Sequence, residues 1–257
     1  MNPRDNTIAV TTIVRKEITR WLRIWTQTLL PPVVTQSLYF VIFGKFIGSQ
    51  IGRIHGISYI EFIIPGLVMM AVINSAFANV VSSFFGAKFQ RSVEELLVSS
   101  TPNWAILAGF VAGGALRGIL VGIIVFLISI FFTQPQILHP AVIAVFIVLT
   151  SIVFSLGGFL NAIYAKKFDD VAIFPTFVLT PLTYLGGVFY SIKSLPQVWQ
   201  KISMLNPILY MINGFRFGFY GISDVSVILS VGILVSLMTA LIFLNLYLLD
   251  KGTGLKT

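Results

Sequence analysis

Six apolar stretches, separated by short basic or turn-rich connectors, take up nearly all of this 257-residue chain. They run approximately over residues 26–47, 59–86, 104–133, 139–164, 171–190 and 225–249. A helix needs about 20 predominantly apolar residues to cross a hydrocarbon core ~30 Å thick, and each stretch is roughly that long or longer. Nothing large enough to be a soluble catalytic domain remains. The expected fold is an all-α integral membrane protein, a single transmembrane domain over residues 1–257 with six transmembrane helices. A mean hydropathy of +0.93, with 56% hydrophobic and 10% charged residues, is too apolar for one soluble core of this length. The chain contains no cysteine, which excludes disulfides, thiol catalysis and thiolate metal sites.

The net charge of +8 raises nucleic-acid binding, and the placement of the charges answers it. With a cytoplasmic N-terminus, 11 of the 17 basic residues share that side: Arg4, Arg15, Lys16, Arg20, Arg23, Lys88, Arg91, Lys166, Lys167, Lys251 and Lys256. Lys45, Arg53, Lys193, Lys201 and Arg216 fall opposite, and Arg117 lies within the third stretch. This bias predicts a multi-pass protein with both termini cytoplasmic. Orientation and anionic lipid account for the basic excess without nucleic acid.

Residues 1–7 are polar and are not followed by a signal-peptide core. Val14, Ile18, Trp21, Leu22 and Trp25 recur at helical spacing, with Arg15, Lys16, Thr19, Arg20 and Arg23 largely off that stripe. The pattern predicts an interfacial helix over residues 9–25 leading into the first span near Pro31 and Pro32. A calmodulin-like partner helix is the alternative reading.

Two connectors carry helical signals. In residues 87–104, Ser92 and Glu95 have capping-box spacing, which predicts a helix from Val93. Val93, Leu96, Leu97 and Ser100 would share one face and leave Glu94 exposed, and Thr101-Pro102 would open the next helix. Such a cytoplasmic helix either joins two spans or takes force from a partner through its carboxylates. In residues 191–221, on the outer side, a Ser194–Gln197 box precedes the stripe Leu195, Val198, Trp199, Ile202 and Leu205. Asn206-Pro207 then caps a second stripe of Ile208, Met211, Ile212, Phe215 and Phe219. Two short helices that dip into the outer leaflet without crossing fit best, with a seventh span as the alternative.

Enzyme motifs are absent. Gly44-Lys45 is followed by Phe46 and lacks the upstream glycine of a phosphate-binding loop. His55 and His139 stand far apart with no nearby carboxylate in sequence, and no nucleophile–base pair stands out within the spans. Arg117 is the one clear charge within a span, and it must face protein or water. It borders Gly114, Gly118 and Gly122, a small-residue ladder that admits a neighbouring helix. Asn74, Asn79 and Asn161 are the other polar groups at depth, open to either interhelical bonding or substrate contact. Glu61 reads as an interface anchor or an Arg53 partner. No acidic residue lies near the centre of a span, so an ion-coupled carrier is the runner-up, and a channel or assembly scaffold also stays open.

Leu185–Phe189 (LGGVF), Leu195-Pro196, Trp199, Leu205-Asn206-Pro207, Tyr210 and Arg216 follow one another within residues 175–218. In that order they resemble the C-terminal hallmark of ABC-2 type transporter permeases. Residues 62–70, 79–102 and 166–191 also resemble that family, so the likeness spans essentially the whole chain. It implies a bacterial inner-membrane exporter subunit for a lipid, saccharide or drug-like substrate. It also implies a second copy of this chain and two cytoplasmic ATPase subunits that bind ATP and Mg, with no cofactor on this chain. By that likeness residues 87–101 match a coupling helix, with Arg91, Glu94, Glu95 and Leu97 as candidate contacts. Trp199, Asn206, Tyr210 and Arg216 match the short outer helices.

Overall fold

The computed structural model describes residues 3–99 and 101–254, the side chains of Pro3 and Leu97 excepted; Ser100 and Lys256 lie outside the described residues. Helix α1 (Pro3–Arg23) is longer than the expected 9–25 segment and breaks at Ile24 (φ −112°, ψ 37°). Helices α2 (Trp25–Thr28), α3 (Leu30–Tyr39) and α4 (Gly48–Ile51), with a π-helical stretch at Phe40–Ile47, make one run over Trp25–Ile51. Pro31 and Pro32 sit in the first turn of α3, where a missing N–H breaks no helical bond.

A two-residue hairpin, β1 (Arg53–Ile54) against β2 (Ile57–Ser58), follows at the end of the molecule where α5 begins. Its central pair, His55 and Gly56, have φ of 51° and 84°, as a tight hairpin turn of this length requires. Ser58 and Glu61 then close a capping box at the start of α5 (Tyr59–Phe89). Glu61 accepts from the Ser58 N–H and hydroxyl at 2.9 and 2.6 Å, so its partner is Ser58 rather than Arg53.

Helix α5 is the buried axis of the molecule. Helix α6 (Ser92–Val98) leads from it to α7 (Asn103–Ser129), and α8 (Pro140–Tyr164) follows; α7 and α8 both flank α5. The ladder Gly114, Gly118 and Gly122 lies where these three helices cross, and a methyl at Gly118 would press on the Ala76 side chain, the Val72 carbonyl and Ser151. Small residues permit that approach where apolar burial gives no drive between helices in lipid.

Helices α9 (Phe168–Phe174) and α10 (Thr180–Leu185) are joined by a π turn at Pro175–Leu179. This 18-residue path spans ~27 Å, where the sequence predicts one span over 171–190 that Pro175 and Pro181 can kink. Pro175 and Pro181 remove N–H donors, and Gly187 (φ 81°) turns the chain away. The Pro175 carbonyl accepts from the Thr180 N–H and, at 2.9 Å, from the Thr180 hydroxyl, which pins the turn to the start of α10.

Helices α11 (Gln197–Met204) and α12 (Pro207–Tyr220) are the two short helices expected between residues 191 and 221, and α13 (Val227–Lys251) follows. Among the described residues five runs are long and apolar enough to cross a membrane: Trp25–Ile51, α5, α7, α8 and α13. Bonds at both ends fix their alignment. At one end Asn103 donates to Asp250 at 2.6 Å, and the Lys88 ammonium donates to the Ile163 and Ala165 carbonyls at 2.8 and 2.7 Å. Lys88 thereby closes the C-terminus of α8, where a cation is favoured. At the other end the His139 N–H donates to the Gly218 carbonyl at 2.8 Å.

Candidate coupling and pathway elements

The α5–α7 connector turns at Arg91, which adopts a left-handed conformation (φ 59°) and occupies the N-cap of α6. The Ser92 hydroxyl donates to the Ala87 carbonyl, so the predicted Ser92–Glu95 capping box does not form and the helix begins at Ser92. The tight reversal brings the Ala87 carbonyl nearer than the helix amides. The start at Ser92 is one residue earlier than predicted, whereas the next helix starts one residue later, with Pro102 as its N-cap.

Val93 is the peg of α6, buried beside Phe84, Phe85 and Ala165, while Glu94 and Glu95 face outward. Both carboxylates occupy the first turn, where the helix dipole favours them. Phe89, Phe168 and Val98 are also exposed at this end, and Phe89 and Phe168 meet edge-on at 4.9 Å. Leu97 lies on α6, with its side chain outside the described residues. The arrangement is an apolar and acidic knob on a fixed base.

Arg117 and Asn79, two of the four predicted polar groups at depth, do meet. The Asn79 amide oxygen accepts from Arg117 at 3.5 Å and from Arg20 at 2.8 Å, and Arg117 donates to the Thr28 carbonyl at 2.9 Å. Glu17 completes the cluster. It is fully buried, pairs with Arg20 at 3.0 Å and accepts from the Ser83 hydroxyl. Ile13 and Glu17 abut Gly109 and Gly113, so α1 climbs along the first turns of α7. Arg20, expected off the apolar stripe, therefore points into the protein, and Leu22 and Trp25, expected on it, are exposed.

Sequence reasoning missed Glu17 and Arg20. The signal was their spacing from Ile13 and Trp21, which puts all four on one helical face. Asn74 instead donates to the Met70 carbonyl of its own helix. Asn161 donates to the Val171 carbonyl at 3.3 Å, far along the chain from the Arg117 cluster.

The outer residues hold separate joints. Arg216 is buried, donates to the Gly187 and Phe62 carbonyls at 2.7 and 3.4 Å, and lies 3.9 Å over the Phe62 ring. Asn206 caps α12 through the Ile208 N–H and donates to the Leu182 carbonyl at 2.6 Å. Tyr210 donates to the Met204 carbonyl at 2.8 Å. Trp199 is half exposed with Val198, Ile202 and Leu205, so the α11 stripe exists but faces away from the protein. The predicted Ser194–Gln197 box is absent, because a 3-10 turn at Ile192–Ser194 intervenes and Pro196 caps α11.

A further outer joint escaped the sequence. Ser191 donates to Asp224 at 2.9 Å, and His55 Nε2 stands 3.1 Å from Ser191 and 3.6 Å from Asp224. One imidazole nitrogen faces both groups, whereas a hydrolase relay uses one nitrogen for each. The trio is a clasp between the hairpin, the chain after α10 and the loop before α13. Among the described residues no group of three or more His, Asp or Glu side chains is placed to hold a metal.

One seam joins the first span to the broken fifth segment. The Tyr39 and Tyr184 hydroxyls meet at 2.8 Å, and Phe43 and Phe189 pack at 4.4 Å between ring centroids. Thr35, Thr176 and Thr180 are exposed on the same two helices.

These features define a multi-pass α-helical membrane protein whose buried polar groups join helices and whose π-helical backbone lies in the first and fifth apolar segments. Residues 8–220 match the ABC-2 type transporter family, and the chain belongs to it. It is 55% identical over 250 residues to the inner membrane transport permease YadH of Escherichia coli (strain K12), covering 97% of this chain and 98% of that protein. Nodulation protein J of Rhizobium leguminosarum bv. viciae is 23% identical over 221 residues, 86% of this chain and 85% of that protein. The same-named protein of Sinorhizobium fredii (strain NBRC 101917 / NGR234) is 28% identical over 184 residues, 70% of this chain and 68% of that protein.

Proposed function

We propose that this chain is the membrane subunit of an ATP-driven exporter, working as a pair of identical chains with two copies of a separate cytoplasmic ATPase. The observation that carries the reading is α6, pegged by Val93 with Glu94 and Glu95 facing outward at the end of the buried axis α5. A docked ATPase that moves this knob moves α5, because the helix has little freedom on its base. The Glu17–Arg20–Asn79–Arg117 cluster then carries the displacement to α1 and α7. In this reading Phe168–Leu185 is the sixth crossing, both termini are cytoplasmic, and α11 and α12 stay in the outer leaflet.

The pathway runs along the seam of α3 and α10. Tyr39 lies 14 residues beyond Trp25 and Tyr184 lies 16 beyond Phe168, so both reach ~21–24 Å from the cytoplasmic ends of their segments. Exposed hydroxyls at that depth suit a wet or protein-lined surface better than lipid. A second copy facing this seam encloses a path between the two chains, which admits a lipid, saccharide or drug-like cargo.

The test is reconstitution with the ATPase chain that co-purifies. Glu94→Lys with Glu95→Lys is expected to abolish stimulation of ATP hydrolysis while leaving membrane insertion intact. Full stimulation by the double variant would remove the coupling assignment, and transport by this chain without an ATPase would favour ion coupling.

A further inference from the structure

Behind the broken segment lies a cavity of about 430 Å³, between α5, α8, the π turn, α12 and α13. It falls at the lower end of the roughly 300–1,000 Å³ of small-molecule sites. Its walls include Phe77, Val153, Leu179 and Leu237, and among its lining residues only Asn161 and Tyr164 are polar. Both lie in the last turn of α8, at the end that Lys88 closes. From Val153 to Tyr164 the cavity follows α8 for 11 residues, ~16 Å.

The cavity persists because the segment in front of it is braced at its ends. Near α9, Asn161 holds the Val171 carbonyl and Phe174 stacks on Phe77 at 5.5 Å. At α10, Asn206 holds the Leu182 carbonyl and Tyr184 meets Tyr39. Between these braces runs the π turn, whose irregular backbone cannot settle onto α8 as a straight helix would. The pocket is open on one side, and left unfilled it forfeits dispersion contacts along its apolar walls. Water needs two to four polar partners, and the apolar walls supply none. At hydrocarbon depth the filler at hand is an alkyl chain.

We propose that this cavity binds the alkyl chain of an amphiphile, tail toward Val153 and Leu237 and polar head at Asn161 and Tyr164. The site is distinct from the seam of α3 and α10, and its occupancy does not depend on the transport reading. A membrane phospholipid and a free fatty acid share this chemistry.

Two photoreactive probes separate these sources: a fatty acid and a phosphatidylcholine, each with a diazirine near the chain terminus, applied to the protein in vesicles. Labelling is expected to concentrate on peptides holding residues 153–164 and 237–241, above the Ile123–Leu127 stretch of α7, whose Ile123 and Leu127 are exposed. The probe that labels identifies the source. Gly157 lines the cavity and has only ordinary contacts with Phe77, so Gly157→Leu fills space without forcing the backbone. That variant is expected to cut cavity labelling about fivefold while leaving Ile123–Leu127 unchanged. Leu237→Phe, from the opposite wall, is expected to do the same, which separates occlusion from misfolding in one variant. Labelling at the Ile123–Leu127 level with both probes, or labelling unmoved by either variant, overturns the proposal.

Discussion

At the scale of single residues, the buried cations are fasteners. Arg216 supplies donors to two carbonyls that have no water to replace it, Gly187 and Phe62. Each buried acceptor left unmet costs ~1–3 kcal/mol, so Arg216→Ala is expected to destabilise by about 2–4 kcal/mol. Thermal unfolding in detergent reads this directly. Arg216→Lys should recover only part, since an ammonium lacks the planar fork that spans two acceptors and stacks on Phe62. For Glu17 and Arg20, a double-mutant cycle with glutamine at both positions should give a coupling energy of about 1–3 kcal/mol. Additivity of the single changes would refute a working ion pair. Arg117 and Asn79 were legible because a charge or amide in an apolar run has to find a partner. Glu17 and Arg20 were not, because an amphipathic stripe assigns charges to water until a neighbour appears. That neighbour, Asn79, lies 59 residues from Arg20 in the chain.

At the scale of elements, the long apolar runs were plain in the sequence and the irregular one was not. The Gly114–Gly118–Gly122 ladder predicted a close helix neighbour, and two occupy it, α5 and α8. Gly118→Leu should therefore lower the yield of monodisperse protein in mild detergent, whereas Gly232→Leu on α13, with nothing near the added group, should not. Equal yields would show that the ladder tolerates a wider crossing. The capping boxes were read from spacing alone, and spacing fails where a competing carbonyl or a 3-10 turn intervenes, as at Ser92 and Ser194. At Ser58 and Asn206 the side chain does cap, because a hairpin and a proline fix the entering backbone. The fifth segment reads as one span because its apolar content is continuous; Pro175 and Pro181 announce a kink there, but not that the helix divides around a π turn.

At the scale of the whole molecule, burial is lopsided. The buried share of the most apolar stretch is 83% in α5 but 11% in both the first span and α13, which leaves most of two long apolar flanks uncovered by protein. If the first flank faces a second copy, single cysteines placed there should form disulfides between chains in native membranes, and the cysteine-free background makes the assay clean. Thr35→Cys is expected to yield a cross-linked dimer, and Leu127→Cys, on α7, is not. Monomer at Thr35→Cys under oxidation would move the pairing surface elsewhere.

The contact between α1 and α7 also sets an order of events during synthesis. Glu17 rests against Gly113, 96 residues later in the chain. At ~5–20 residues per second the ribosome needs about 5–20 s to make that partner. Throughout that interval α1 carries a basic face, an apolar face and a carboxylate with no place to bury it. The membrane surface, with its anionic headgroups, is the waiting room such a helix suits. Only α7, the third apolar run, offers the glycine face against which Glu17 is buried.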